Sequence, residues 1–159
     1  MTLTDGSLAV LPLLEANVRV NELESQTRVC RLQWGDDSDV KAVREADRDT
    51  DLDLIIGSDL LYTPEVFPDL LDTLEGLCTP GVTEVLFCFP PRHTVRKALE
   101  AARSLLLHCA SRLIEPSNLA FDQESIFFEM AESYGFEVGD IDEPEPGLFA
   151  ATMVLASEN

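Results

Sequence analysis

Short apolar runs recur along the chain, and each is ended by polar or turn-forming residues. Two of them, Asp53–Ser58 and Val82–Phe89, are almost continuously apolar, which predicts strands that are buried on both faces. Arg28–Trp34 alternates apolar and polar residues and predicts a less buried strand. Thr2–Thr4 is predicted as the end of a further strand that stops at Asp5.

Between these runs, apolar residues recur every three or four positions, which predicts helices that bury one face. One helix follows the first strand, and a second begins near the helix-start signal Thr63–Glu65. Further helices are predicted over Val95–Ile114 and Glu124–Tyr134, the latter closed by Gly135. The apolar stripes are Leu8, Leu11, Leu14 and Val18 in the first helix and Phe67, Leu70, Leu71, Leu74 and Leu77 in the second.

The last two predicted strands are Phe136–Ile141 and Leu148–Leu155. The link between them, Asp142–Gly147, is short enough for an antiparallel pair. Strands and helices alternate before this pair, which predicts a mostly parallel sheet. We therefore expect a single α/β domain over residues 1–159, long enough to bury roughly two-thirds of the unfolded chain's surface.

The acidic segment Asp36–Asp49 is predicted as a solvated loop. Four carboxylates at the end of this segment and just after it have the spacing of a calcium-binding loop. That loop needs glycine where this chain has Leu52 and glutamate where it has Ser58, so a calcium site is not expected. The sequence has no Cys-x-x-Cys pair, and its only histidines are His93 and His108, so no metal site is expected. The carboxylates with this spacing are Asp47, Asp49, Asp51 and Asp53.

A polar corner follows the apolar run Asp53–Ser58 and carries Ser58, Asp59 and Tyr62. In an open α/β sheet, ligands bind beyond the carboxyl ends of the strands. These side chains are therefore candidates for binding a substrate or a cofactor. The alternative is that Asp59 only caps the next helix.

The charge of the chain is strongly negative, with 11 lysines and arginines against 30 aspartates and glutamates and a net charge of -19. This balance argues against nucleic acid as a partner, because binding to phosphates depends on clustered cations. A basic protein surface, or a lysine-bearing segment of another protein, suits this field better. The alternative is that the acidic balance only keeps the chain soluble.

The cysteines Cys30, Cys78, Cys88 and Cys109 are widely spaced and are interpreted as reduced thiols, mostly in buried elements. The sequence contains no apolar run of ~18 residues and no signal-peptide pattern. We therefore expect a cytoplasmic protein, with the nucleus as a further location, and no membrane partner.

Four short motifs carry a family resemblance: Leu3–Asp5, Leu32–Gly35, Ile56–Tyr62 and Tyr134–Phe136. Their order and spacing resemble the methyltransferase-like protein-lysine methyltransferases, a seven-strand, Rossmann-like group that uses S-adenosyl-L-methionine (AdoMet). The sheet of that group is mostly parallel and ends in an antiparallel hairpin. Asp59 and Tyr62 match its Asp-x-x-Tyr pattern. The resemblance covers residues 1–89 and resumes at about Glu124.

The resemblance implies a role for each matching residue. Asp5 would accept hydrogen bonds from the ribose hydroxyls of AdoMet, and Trp34 would pack beside the adenine, although a core position for Trp34 is the alternative. The backbone of Ser58 would border the cofactor. Asp59 and Tyr62 would line the channel for the target lysine, as the catalytic pair. Members of the group modify chaperones, AAA ATPases and translation elongation factors, so the implied partner is a protein substrate.

The chain departs from the family pattern at its start. The family's first strand and glycine-rich turn lie upstream of the segment that matches Thr2–Asp5, and no Gly-x-Gly occurs in this sequence. We therefore expect an N-terminally truncated domain whose activity is in question. Exposed strand edges would favour oligomers. The alternative function is a non-catalytic interaction protein derived from a methyltransferase fold. A second departure is an atypical insertion at about residues 92–123.

Overall fold

The structure is a computed structural model that describes residues 1–46, 51–90, 123–146 and 148–157. Strands and helices alternate along most of the chain, as predicted. The predicted helix Val95–Ile114 lies outside the described residues, as does all but the last residue of the insertion. The elements are β1 (Thr2–Asp5), α1 (Leu11–Val20), β2 (Arg28–Arg31), α2 (Asp37–Ala46), β3 (Leu54–Ser58), a 3₁₀ turn (Pro64–Val66), α3 (Phe67–Leu77), β4 (Glu84–Phe89), α4 (Gln123–Ser133), β5 (Phe136–Glu145) and β6 (Leu148–Leu155).

The strands of the described residues form two sheets. In the smaller sheet β1 and β2 pair in parallel, with Thr2 opposite Arg28 and Asp5 opposite Arg31. The larger sheet has the order β3-β4-β6-β5, in which β3 and β4 are parallel and β6 runs antiparallel to both of its neighbours. The predicted α/β class, its parallel strand pairs and its final antiparallel hairpin are confirmed.

The main core lies between the larger sheet and two helices, α3 and α4. Phe127 of α4 meets Phe67 of α3 and Phe87 of β4 edge to face, with ring centroids 5.2 and 5.3 Å apart. These rings are at most 2% exposed. Burying a phenylalanine stabilises a fold by ~1.5–3 kcal/mol, so this trio is a large part of the core's contribution. The helical stripe predicted for α3 provides the residues that face it.

The larger sheet is covered on one face more fully than on the other. Val85 and Phe87 of β4 are buried in the main core, whereas Leu54 and Ile56 of β3 are 47% and 66% exposed. The prediction of strands buried on both faces is therefore wrong for β3. Side chains alternate across a strand, so Leu54 and Ile56 share the face opposite the main core.

The acidic segment predicted as a loop contains a helix instead. Asp36 caps α2, since its Oδ1 accepts hydrogen bonds from the backbone N–H groups of Ser38 (3.0 Å) and Asp39 (3.4 Å). Val43 is 3% exposed and forms a second core cluster with Leu32, at the end of β2, and Leu77 of α3. Within the helix, the carboxylates of Asp37, Asp39 and Glu45 lie at other positions, and this acidic character is what the prediction took for a solvated loop.

The apolar stripe predicted for the first helix begins too early. The helix starts at Leu11, and Leu8, which precedes it, is 69% exposed. Val18 is the residue of α1 that is buried. The predicted last helix is placed correctly to within a residue, and Gly135 follows it with a φ of 85°, in the left-handed conformation that favours glycine after a helix.

Candidate active site

The polar corner predicted at the end of β3 is built against β4. Ser58 pairs with Cys88, and the backbone N–H of Asp59 donates to the Cys88 carbonyl at 2.8 Å. Asp59 has a φ of 57°, a left-handed conformation that aspartate tolerates better than most residues. The chain therefore turns sharply away from the sheet at Asp59.

Gly57 fixes how closely the end of β3 approaches the core. A Cβ at this position would lie 2.6 Å from Cε1 of Phe87 and 2.8 Å from Cδ1 of Leu60. A side chain therefore cannot be added without moving the Phe87 ring or the strand. The tight contact anchors the corner on the aromatic core.

The corner separates its apolar and polar side chains. Leu61 is 1% exposed and belongs to the main core, whereas Tyr62 is 48% exposed and Asp59 is also exposed. Thr63 and Val66 occupy the cap positions of the 3₁₀ turn and of α3. Asp59 is therefore not the cap of the next helix, and like Tyr62 it is exposed just past the carboxyl end of β3.

The two other predicted site residues follow the strands of the smaller sheet. Oδ1 of Asp5 accepts a hydrogen bond from the Ser7 N–H at 2.7 Å, and this bond orients the carboxylate at the end of β1. The Asp5 carbonyl accepts from the Leu32 N–H at 3.1 Å. A Cβ on Gly6 would lie 2.8 Å from Oε1 of Gln33, so the chain after β1 runs close to the chain after β2.

Trp34 follows β2 and is partly buried, packed against the main core. The Trp34 side chain thus reaches from the smaller sheet to the core of the larger one. Both interpretations of this residue, a core position and an exposed face beside a ligand, are compatible with partial burial. The next residue, Gly35, donates its N–H to Oγ1 of Thr73 at 2.9 Å.

The site residues therefore fall into two sets. Asp5 and Trp34 follow the strands of the smaller sheet, and Ser58, Asp59 and Tyr62 follow β3 of the larger one. Sequence reasoning missed Thr73, which joins the sets. Its position inside the apolar stripe of α3 could have indicated a buried, hydrogen-bonded hydroxyl, and Thr73 is 2% exposed.

Tyr134, in the last of the four sequence motifs, has a pKa raised first by desolvation and then by the Asp72 carboxylate, with which it forms a hydrogen bond. The carboxylates of Glu75 and Asp69 have smaller effects in the same direction. Asp69, Asp72 and Glu75 all belong to α3, so this motif joins the end of α4 to α3.

Within the described residues, no group of three or more histidine, cysteine, aspartate or glutamate side chains could hold a metal ion. None of the helices in the described part of the chain has the length and apolar character needed to span a membrane.

The chain resembles known proteins in sequence. A family model described as lysine methyltransferase matches residues 1–102. The protein N-lysine methyltransferase METTL21A of Mus musculus is 33% identical over 91 residues, which are 55% of this chain and 38% of that protein. The EEF1A lysine methyltransferase 3 of Mus musculus is 37% identical over 84 residues, which are 52% of this chain and 33% of that protein. The chain thus spans well under half the length of these curated relatives.

Solved structures share the fold at low sequence identity. An O-methyltransferase family protein from Burkholderia thailandensis has a TM-score of 0.61 and 14% identity, over 99% of this chain and 44% of that one. A SAM dependent methyltransferase from Aquifex aeolicus has a TM-score of 0.60 and 12% identity, over 98% of this chain and 68% of that one. Human N-acetylserotonin methyltransferase in complex with SAM has a TM-score of 0.58 and 16% identity, over 98% of this chain and 40% of that one. The described architecture is therefore a methyltransferase fold.

Proposed function

Because this chain belongs to the lysine methyltransferase family, we propose that it takes part in AdoMet-dependent methylation of a lysine on another protein. One observation carries the proposal: the family match over residues 1–102 includes both sets of site residues. In the structure these residues lie at or just beyond the carboxyl ends of strands, where ligands bind in open α/β sheets.

The residues of the smaller sheet fit AdoMet. The oriented Asp5 carboxylate has acceptor capacity for two vicinal hydroxyls, because each of its oxygens carries two lone pairs. The partly buried Trp34 indole, just past the end of the adjacent strand, offers an aromatic face to adenine. On the other sheet, the Ser58 backbone would border the cofactor. When bound, AdoMet supplies a methyl group that its sulfonium already activates.

The corner residues would prepare the lysine. A lysine amine has an ordinary pKa of ~10.4 and is nucleophilic only when neutral, so the site must hold the ammonium while its proton leaves. The Asp59 carboxylate can accept a charge-assisted hydrogen bond from it, and the Tyr62 ring can stabilise it by cation–π contact. Tyr62 and Asp59 are exposed at the same corner, so an incoming side chain can reach both. Positioning of the amine is the main contribution expected of them.

The substrate is proposed to be a protein with a basic, lysine-bearing surface. Support comes from the net charge of -19 and from the sheet register, in which Ser58 pairs with Cys88, Cys88 with Ala150 and Ala150 with Asp142. The acidic hairpin of β5 and β6 therefore extends past the same sheet edge as the corner. One relative is named for EEF1A, and we propose translation factors as the first class to test, with chaperones and AAA ATPases next.

A second candidate function is that of a non-catalytic interaction protein. The observation that favours it is the exposed side of β3, where Leu54 and Ile56 are 47% and 66% exposed. Neither β1 nor β3 pairs with the other in the described sheets, so each has an edge available for another strand. We propose that these edges join copies of the chain. A concentration-dependent mass in light scattering, lowered by Ile56→Lys, is the expected result, and a monomer at all concentrations would contradict it.

We propose the cytoplasm and the nucleus as the locations of the protein. The reduced thiols Cys30, Cys78 and Cys88 support a reducing compartment. Burial raises the pKa of Cys78 to about 11, which keeps that thiol protonated and unreactive. Imaging of the tagged protein tests the proposal, and secretion would contradict it.

The proposed function is tested by AdoMet calorimetry and by transfer of a labelled methyl group to EEF1A, to chaperones and to AAA ATPases. We expect saturable AdoMet binding and transfer to a lysine. Asp59→Asn should abolish transfer and keep the fold, because asparagine also tolerates the left-handed backbone. Asp59→Ala confounds this test, since an alanine there costs about 1–2 kcal/mol in backbone strain. A folded chain that binds no AdoMet would rule out catalysis, and full activity of Asp59→Asn would remove Asp59 from the mechanism.

A further inference from the structure

Thr73 makes two hydrogen bonds from a buried position on α3. Its hydroxyl donates to the Asp69 carbonyl at 2.7 Å, a bond within the helix. The same oxygen accepts the N–H of Gly35 at 2.9 Å, from a residue 38 positions away in the sequence. Bonding to the preceding turn is common for a helical threonine, but it does not account for the second bond. The Thr73 residue is 2% exposed, so its hydroxyl depends on partners within the protein rather than on water.

Gly35 is held by α3 in a second way. Its φ is 76°, and a Cβ would lie 3.1 Å from both Cγ and Oδ1 of Asp69. The backbone of Gly35 therefore lies close to one turn of α3, at Asp69 and Thr73. Trp34 immediately precedes this fixed point and packs against the main core.

We infer that Thr73 is a positioning residue, whose hydroxyl fixes the Trp34 indole of the smaller sheet relative to the Ser58–Tyr62 corner. The Ser58–Tyr62 corner is followed in the chain by the 3₁₀ turn and then by α3. The bond between Thr73 of α3 and Gly35 therefore connects the two sets of site residues through one helix. The orientation of Trp34 toward the cofactor rests on the proposed function. The positioning of Trp34 by Thr73 is independent of that function, because it is inferred from the two hydrogen bonds of the Thr73 hydroxyl.

Trp34 is the one tryptophan in the sequence, so its fluorescence reports on this junction alone. Thr73→Val keeps the shape of the side chain and removes the hydroxyl. The matched control is Thr83→Val, because Thr83 is 0% exposed and its Oγ1 accepts the Thr79 N–H at 2.8 Å, past the far end of α3. We expect acrylamide to quench Trp34 more strongly in Thr73→Val, and to quench it as in the wild type in Thr83→Val. Equal quenching in Thr73→Val and the wild type, or an equal rise in both variants, would overturn the inference.

Two further measurements keep the test decisive if Thr73→Val does not fold. Thr73→Ser and Thr73→Ala both lose the methyl group and differ from each other only in the hydroxyl, so stronger quenching in the alanine variant alone supports the inference. In the wild type, the Gly35 amide should exchange slowly with solvent. Rapid exchange of that amide would contradict the bond to Thr73.

AdoMet titration separates this inference from the proposed function. If the wild type binds AdoMet, Thr73→Val should bind about fivefold more weakly, the factor that corresponds to one ordinary hydrogen bond. Thr73→Ser and Thr83→Val should bind as the wild type does. Unchanged affinity in Thr73→Val would overturn the positioning role. A wild type that binds no AdoMet would overturn the proposed function, while the quenching comparison would still decide the role of Thr73.

Discussion

The two sheets of this molecule are held together in different ways. The larger sheet has a core of its own, in which Phe127 contacts both Phe67 and Phe87. The buried cluster beside the smaller sheet contains Leu32, Val43 and Leu77, and Leu77 comes from α3, the helix that packs on the larger sheet. The smaller sheet therefore depends on its neighbour for part of its core. The proposed acceptor corner, including Ser58, lies on the self-supporting half, and the proposed cofactor residues Asp5 and Trp34 lie at or just past the strand ends of the dependent half.

Polar contacts also join the two halves. Arg44 of α2 donates to the Leu77 carbonyl at 3.0 Å, and Gly35 donates to Thr73 at 2.9 Å. Such bonds contribute only about 0.5–1.5 kcal/mol each to stability, less than a buried phenylalanine. We therefore expect the smaller half to open first on denaturation, so that AdoMet binding is lost before the corner unfolds.

Phe127→Ala is expected to have the largest effect on this comparison. Phe127 is 0% exposed and contacts both Phe67 and Phe87, so its truncation should lower the free energy of unfolding by about 3–5 kcal/mol. The free energy of unfolding is measured by urea titration, with circular dichroism as the readout. The matched variant is Val43→Ala in the smaller half, where the loss of about two methylene equivalents predicts roughly 1.5–2 kcal/mol. Equal losses in the two variants would contradict the difference between the halves.

Gly57→Ala should have the next largest effect and should perturb the corner itself. The added Cβ would meet the Phe87 ring at 2.6 Å, and overpacking of this kind costs about 1–3 kcal/mol. Gly76→Ala is the contrast, because its Cβ would meet Cγ1 of Val40 at 2.9 Å, between α2 and α3. We expect Gly57→Ala to reduce methyl transfer with AdoMet affinity kept, and Gly76→Ala to weaken AdoMet binding first. If the two variants changed methyl transfer and AdoMet affinity in the same way, the halves would not have separate roles.

The elements of the larger half could be predicted from the sequence, because the apolar residues that define them are the ones that build its core. The stripe through Phe67, Leu70 and Leu74 and the run through Phe87 each specify one element. In the smaller half the pattern also predicts β1, β2 and the helix between them, but it misses α2. α2 carries few apolar residues, among them Val40 and Val43, within an acidic segment, and its stability depends on contacts with α3 that local sequence does not reveal.

The candidate site was predictable as a list of residues and not as an arrangement. Asp59 and Tyr62 are predicted from their place after an apolar run. Asp59 combines a left-handed backbone with a bond to Cys88, and the partner of Thr73 lies 38 positions away. Neither bond has a local signal in the sequence. The site residues themselves remain predictions until the variants are measured.

Substitutions of Asp36, the cap of α2, should have the smallest effect. The hydrogen bond from the Ser38 side chain is the largest of the effects that lower the pKa of Asp36 below its usual value of 3.8. The backbone N–H of Ser38 and the side chain of Arg31 lower the pKa further, and desolvation opposes them with a smaller effect than the Ser38 side chain. A lowered folded-state pKa means that the charged form stabilises the fold. The stabilisation is therefore present above pH 3.8 and is lost as the pH falls through the lowered value.

Amide exchange of α2 measures this effect in Asp36→Ala and Asp36→Asn. Asparagine also caps helices, so Asp36→Asn should differ from the wild type only through its missing charge, and that difference should vanish at acidic pH. Asp36→Ala should lose protection at every pH. We expect both changes to leave the exchange of β4 in the larger half unaltered, since the cap acts on α2 alone. Coupled loss of protection in β4 would mean that the two halves unfold together, and the division of the molecule into a self-supporting and a dependent half would then be wrong.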